Sequence, residues 1–383
     1  MPRSRTRSLL RAPAVAAALL CGLAGLAATP SPPDAPSGAS YVALGDSYAA
    51  GYGLADPTGA PVAACAQSAR DYPHRVAQRL GLDLTDVSCA TATTADLRSA
   101  SDAGAPAQLD ALGPHTRVVT VTIGGNDSGL FSQAFSCLAL TAQGPVIAGE
   151  DVPNCRSRFV DGGVDRLRRD IDGTIARNIE ESVTAIRKAA PAARIVMVGY
   201  PTIFPDAAHT PPSGCFRPAL TAESFTGKYP DNSFPFTDVD VRYFSGVQRA
   251  LDDASRHAAQ QAGASYVSML SRTAAHSACA ADAPYINGLQ LSSPDDVEHV
   301  ELDPGALHPN EAGAEALADA AATEIRSVLA PRPTRSPEPS PSRSAAPGAA
   351  GAAPIAGAVI VVAAALVTGG LLLRRRRRKS PPS

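Results

Sequence analysis

Tyr41-Val42-Ala43-Leu44-Gly45-Asp46-Ser47-Tyr48-Ala49-Ala50-Gly51-Tyr52-Gly53 reads as a short apolar strand that stops at Gly45 and delivers a serine into a turn of small residues. A serine hydroxyl is a poor nucleophile unless a base takes its proton and donors hold the developing oxyanion. Two later segments have the residue types for those parts. Gly124-Gly125-Asn126-Asp127 closes a second apolar run, and His308 lies in Asp303-Pro304-Gly305-Ala306-Leu307-His308-Pro309-Asn310. A Gly-Asp-Ser tripeptide alone is a weak signal, since a turn serine capping the next segment has the same look. The three segments in this order, each at a strand end or loop, are far more specific.

Around these segments, strand and helix patterns alternate. Apolar runs, the longest of them rich in β-branched residues, predict strands at 40–44, 84–88, 117–123, 194–198 and 265–268. Spacings of three and four predict helices at 71–80, 162–190, 238–262 and 310–329, with short helical pieces at 94–100 and 105–112. In 162–190 the apolar positions are Leu167, Ile171, Ile175, Ile179, Val183 and Ile186. Such alternation argues for a parallel sheet covered on both faces, with ligand sites at the carboxyl ends of its strands. Ser47 and Asn126 both fall at such ends. Two stretches, 131–159 and 201–238, are long and rich in Pro, Gly and Phe. They read as walls of a substrate cleft, with Phe131, Phe135, Phe204, Phe234 and Phe236 as candidate lining or, equally, as packing that holds the loops down.

The three blocks make the chain resemble an SGNH (GDSL-type) hydrolase, similar to the secreted lipases and esterases of actinomycetes, over residues 39–330. The resemblance implies an α/β fold, a three-layer α/β/α sandwich around a mostly parallel, about five-stranded, flavodoxin-like sheet. It implies Ser47 as nucleophile, His308 as base and the Asn126 side-chain amide as oxyanion donor, beside the N–H of Ser47. It further implies a carboxylic ester substrate, a small molecule or lipid, and no cofactor. Two positions depart from the family pattern. Within Val87-Ser88-Cys89-Ala90-Thr91-Ala92, Thr91 stands where the family carries a glycine whose N–H completes the oxyanion hole. Three residues before His308, where many members have an aspartate, stands Gly305. The Gly305 carbonyl and the Asp303 carboxylate are the two candidate orienters of the histidine. The nucleophile-elbow pattern of α/β-hydrolases is absent, because Gly45-x-Ser47-x-Ala49 lacks its final glycine.

The ends carry different signals. Arg3, Arg5, Arg7 and Arg11 precede an apolar run, so 1–29 reads as a secretory signal peptide and 30–38 as a linker. Residues 331–353 are rich in Pro, Ser and Ala and read as an extended stalk. Residues 354–373 carry no charge; at about 1.5 Å per residue they reach roughly 30 Å, one bilayer core. The basic tail 374–383 opens with Arg374 to Lys379 and predicts a cytoplasmic C-terminus. The expected arrangement is a hydrolase domain on the extracellular face of the membrane, held by one helix.

Of 34 basic and 36 acidic residues, 21 and 34 fall within 39–330, which leaves that domain near −13 and argues against a nucleic-acid partner. Setting aside Cys21 in the leader, Cys65, Cys89, Cys137, Cys155, Cys215 and Cys279 form an even set, which in an exported domain reads as disulfides. The count leaves the pairing open; the resemblance implies 65–89, 137–155 and 215–279. With neither CxxC nor HExxH, no metal site is expected.

Overall fold

The computed structural model describes residues 38–147, 152–292 and 301–330. The leader, the stalk, the apolar run 354–373 and the basic tail lie outside the described residues, as does the linker apart from its last residue. Among the described residues no helix is long and apolar enough to cross a membrane.

Five strands form one all-parallel sheet: β1 (Ser40–Gly45), β2 (Asp83–Asp86), β3 (Val118–Thr122), β4 (Arg194–Val198) and β5 (Ser265–Val267). Their order is β2-β1-β3-β4-β5. The chain moves from β1 to one side for β2 and then crosses to the other side for β3. The crevice above the β1/β3 boundary is therefore a topological switch point, where open α/β sheets bind ligands. Pairing there runs from Tyr41 opposite Val118 to Gly45 opposite Thr122.

Alternate strand residues feed two cores, because successive side chains of a strand point to opposite faces. Val42, Leu44, Val119, Val121, Ile195 and Met197 pack with Ile179, Val183 and Ile186 of α4 (Ala176–Ala189) and Phe244, Val247 and Leu251 of α5 (Asp238–Gln261). Tyr41, Ala43, Val118, Val196 and Val198 pack with Val76 and Leu80 of α2 (Tyr72–Leu80) and Leu317, Ala321 and Ile325 of α6 (Glu311–Leu329). These are the three layers the alternation predicts. Local chemistry sets the helix ends: Asp71 and Asn310 cap α2 and α6 through side-chain oxygens, and Gly81 ends α2 at φ 62°.

The structure differs from the sequence expectation in two places and settles a third reading that was left open. β2 ends at Asp86, two residues early, because Asp86 Oδ1 accepts from the Ser88 N–H (2.9 Å) and turns the chain. The expected helix 162–190 begins only at Arg166; Val160–Asp161 and Val164–Asp165 pair as a hairpin about Gly162-Gly163, both at positive φ. Its apolar spacing then passes through one π turn, Ile171–Ile175, before α4. Finally, Phe234 and Phe236 are fully buried and pack on each other and on Phe204. They hold the long loop down and line no cleft.

All six cysteines of the domain are bonded, 65–89, 137–155 and 215–279. The first bond ties the segment after the Ser47 turn to the segment that carries Thr91.

Candidate active site

β1 ends in a crowded turn. Gly45 has φ 145°, and a Cβ there would sit 2.4 Å from the Thr122 carbonyl, so the position requires glycine. The buried Gln108 amide pairs with the same residue, accepting from the Gly45 N–H (2.8 Å) and donating to its carbonyl (2.9 Å). Asp46 then caps the one-turn helix α1 (Ser47–Ala50), accepting from the Tyr48 N–H (3.0 Å), and Ser47 is its first residue.

Ser47 and His308, 261 residues apart, meet: His308 Nε2 lies 2.7 Å from Ser47 Oγ. Nδ1 of the same ring lies 2.8 Å from the Ala306 carbonyl. A carbonyl oxygen only accepts, so Nδ1 carries the hydrogen and Nε2 turns a lone pair toward the serine hydroxyl. This corrects both expected orienters. The Gly305 carbonyl accepts instead from the His308 main-chain N–H (3.0 Å) and from Asn287 Nδ2 (3.2 Å). Asp303 lines the outer cleft without bonding the ring. The loop reaches the Ala306 carbonyl because Gly305 and Leu307 both adopt left-handed φ, 85° and 57°. The Tyr48 hydroxyl pins it, donating to the Leu307 carbonyl (2.6 Å).

His308 is buried among the rings of Tyr48, Tyr52 and Phe131, with centroids 4.8, 5.1 and 5.1 Å away. That burial penalises the imidazolium and brings the His308 pKa down to about 4, with only the Ala306 hydrogen bond opposing.

Thr91 and Asn126 line the same cleft as Ser47 and His308. Thr91 takes φ 69°, so the backbone keeps a glycine-type conformation despite a β-branched side chain. The N–H groups of Ser47 and Thr91 have no acceptor among the described residues. Asn126 donates one amide hydrogen to the Ala92 carbonyl (3.0 Å), which leaves its second free to point elsewhere.

Two further residues hold the blocks together. Buried Asp127 accepts from the Thr94 N–H (2.9 Å) and hydroxyl (2.5 Å) and from Asn178 Nδ2 (3.0 Å), fixing the Asn126 turn against the Thr91 turn. Tyr200, at the end of β4, donates its hydroxyl to Asp46 Oδ2 and accepts from the Gly125 N–H (2.8 Å), joining the Ser47 turn to the Asn126 turn. Burial pushes the Asp46 carboxyl up to about 7 against these hydrogen bonds. Asp127 stands beside Asn126 in the motif and was legible by adjacency, whereas nothing in the sequence pattern marks Gln108 or Tyr200.

Ser47 sits between two cavities. The inner one is walled by apolar side chains, among them Leu130, Phe131, Ala134, Ile203, Phe204, Phe244, Val247 and Leu251. The outer one holds Tyr52, Thr91, Phe135, Leu302, Asp303 and His308.

A family model described as the GDSL-like Lipase/Acylhydrolase family matches residues 43–316. Lipase 2 of Streptomyces coelicolor is 36% identical over 282 residues, 73% of this chain and 87% of that protein. An esterase of Streptomyces scabiei is 28% identical over 310 residues, 75% of this chain and 86% of that protein. Among solved structures, phospholipase A1 from Streptomyces albidoflavus superposes with a TM-score of 0.53 at 20% identity, covering 76% of this chain and all of that one. The family model covers the sheet from Ala43 of β1 onward and every block of the site, and the chain therefore belongs to the GDSL-like lipase/acylhydrolase family and is an ester hydrolase.

Proposed function

We propose that the protein hydrolyses acyl esters of lipids through a Ser47 acyl-enzyme. His308 Nε2 takes the Ser47 proton as Oγ attacks the ester carbonyl. The N–H groups of Ser47 and Thr91 and the free amide hydrogen of Asn126 hold the oxyanion. His308 returns the proton to the leaving alcohol, and the same ring then activates water to release the acid. The observation that carries this reading is the 2.7 Å contact between His308 Nε2 and Ser47 Oγ, with Nδ1 committed to a carbonyl.

The inner cavity supports an acyl chain as the group bound beside Ser47, since its walls offer apolar area and few polar partners. The alcohol portion then occupies the outer, more polar cavity. Assay of p-nitrophenyl esters of graded chain length, beside acetylated xylan and a phospholipid, tests this. A rise in kcat/KM from acetate to longer acyl groups supports it. A preference for acetylated glycan overturns it in favour of carbohydrate deacetylation. A fluorophosphonate probe that fails to label Ser47 overturns catalysis and leaves a binding module.

The leader-like segment 1–29 and the uncharged run 354–373 with its basic flank support export and a single-span anchor on the outer membrane face. Membrane fractions washed with high salt and then with detergent test this. Intact full-length protein in the culture medium would overturn the anchor.

A further inference from the structure

Asp71, His74 and Asp86 form a second buried cluster. Asp71 packs against Gly51 at the end of α1, caps α2, and uses Oδ1 for the His74 N–H (2.8 Å) and for His74 Nδ1 (2.8 Å). Asp86 ends β2 and uses Oδ1 for the N–H (2.9 Å) and hydroxyl (2.7 Å) of Ser88. The other oxygen of each, Asp71 Oδ2 and Asp86 Oδ2, is buried and has no hydrogen-bond partner among the described residues. These side chains are 0% and 3% exposed. An unpaired carboxylate oxygen in such a place is costly and calls for a partner.

The two carboxyls lie in one cluster with His74 Nδ1, which an ion would take from its hydrogen bond with Asp71 Oδ1. His74 Nδ1 lies 3.7 Å from Asp86 Oδ2, and ligand atoms from the three side chains all fall within 4.8 Å of one another. Those separations suit a cation with ligands at about 2.0–2.2 Å. The His74 ring is one-third exposed, so ion and water can enter from its side. We propose that Asp71, His74 and Asp86 bind one divalent transition-metal ion of the zinc class. One imidazole nitrogen with two carboxylate oxygens suits such an ion, whereas calcium or magnesium would want more oxygen ligands. This runs against the sequence expectation of no metal, which rested on the absence of motifs with regular spacing.

The ion would join the start of α2 to the end of β2. Asp86 also holds Ser88, next to Cys89 and three residues before Thr91. The role is structural, because none of the three side chains bonds Ser47 or His308.

The test uses the purified full chain in detergent, stripped with EDTA. Zn²⁺ is titrated by calorimetry, Co²⁺ by its visible absorption, and Tm is read with and without Zn²⁺. One ion per chain and a Zn²⁺-dependent rise in Tm are expected. His74→Gln should weaken binding by about tenfold or more and abolish the rise in Tm. His209→Gln, which removes the exposed His209–Asp206 pair, should leave both unchanged. Asp86→Asn gives a second ligand variant, and the exposed position of His74 keeps the test valid if that variant folds poorly. No saturable binding in the unaltered chain, or binding that persists in His74→Gln, overturns the proposal; the two carboxyls would then share a proton instead.

Discussion

The His308 ring donates from Nδ1 to the Ala306 carbonyl, 2.8 Å away, a neutral main-chain acceptor in the place where triads put a carboxylate. A carbonyl fixes the tautomer as well as an aspartate does, but it brings no negative charge to the imidazolium that the proposed mechanism forms. Two consequences can be measured.

The first concerns Asp303. Its carboxylate does not touch the ring, so Asp303→Asn should change kcat only mildly. Loss of a true triad aspartate costs about 10⁴ in kcat. A fall of that size in Asp303→Asn would show that the carboxylate swings onto Nδ1 during turnover.

The second concerns acid. In the proposed mechanism His308 acts only when neutral, and burial brings its pKa down to about 4, below the ordinary 6.5. Activity should therefore persist as pH falls through 6.5 and disappear only on approach to 4. The acid limb of kcat/KM, which reports the free enzyme, is the measurement. A midpoint near 6.5 would mean that the ring is open to water in solution.

Ser47→Ala and His308→Ala should each lower kcat by roughly 10³-fold or more, and the double variant should lose little beyond either. Their shared hydrogen bond makes them one unit. Additive losses, read from single-turnover rates, would show that they act separately.

The proposed oxyanion site can be separated into side chain and main chain. Asn126→Ala should cost about 10²–10³ in kcat with KM little changed. Thr91→Gly should keep kcat, because the donor is main chain and glycine suits φ 69° better than threonine does. A large fall in kcat for Thr91→Gly, with unfolding unaltered, would assign the threonine hydroxyl a part in the chemistry.

How much of this was legible beforehand follows from what each level of structure records. Buried parallel strands need continuous apolar runs, so β1, β3 and β4 stood out, and Gly45 and Gly124-Gly125 marked their ends. The dyad was legible because its residues sit in motifs. The orienter was not, since any residue has a carbonyl, and which one faces Nδ1 depends on the φ values of Gly305 and Leu307. The start of the 162–190 helix failed because apolar spacing continues through a hairpin and a π turn alike. For Phe234 and Phe236 two readings stayed open, because composition cannot tell a cleft wall from the core beneath it.

A last consequence follows from the tight fit between Gly53 and Gly305. A Cβ on Gly53 would come within 2.3 Å of the Gly305 Cα, and one on Gly305 within 3.1 Å of the Gly53 Cα, at φ 85°. Replacing Gly305 by aspartate therefore works against both the backbone at 305 and its contact with Gly53. An aspartate at 305 would hold a side chain at a left-handed φ and would need Gly53 to give by a few tenths of an ångström. The neutral, carbonyl-held His308 ring thus depends on the meeting of two residues without side chains.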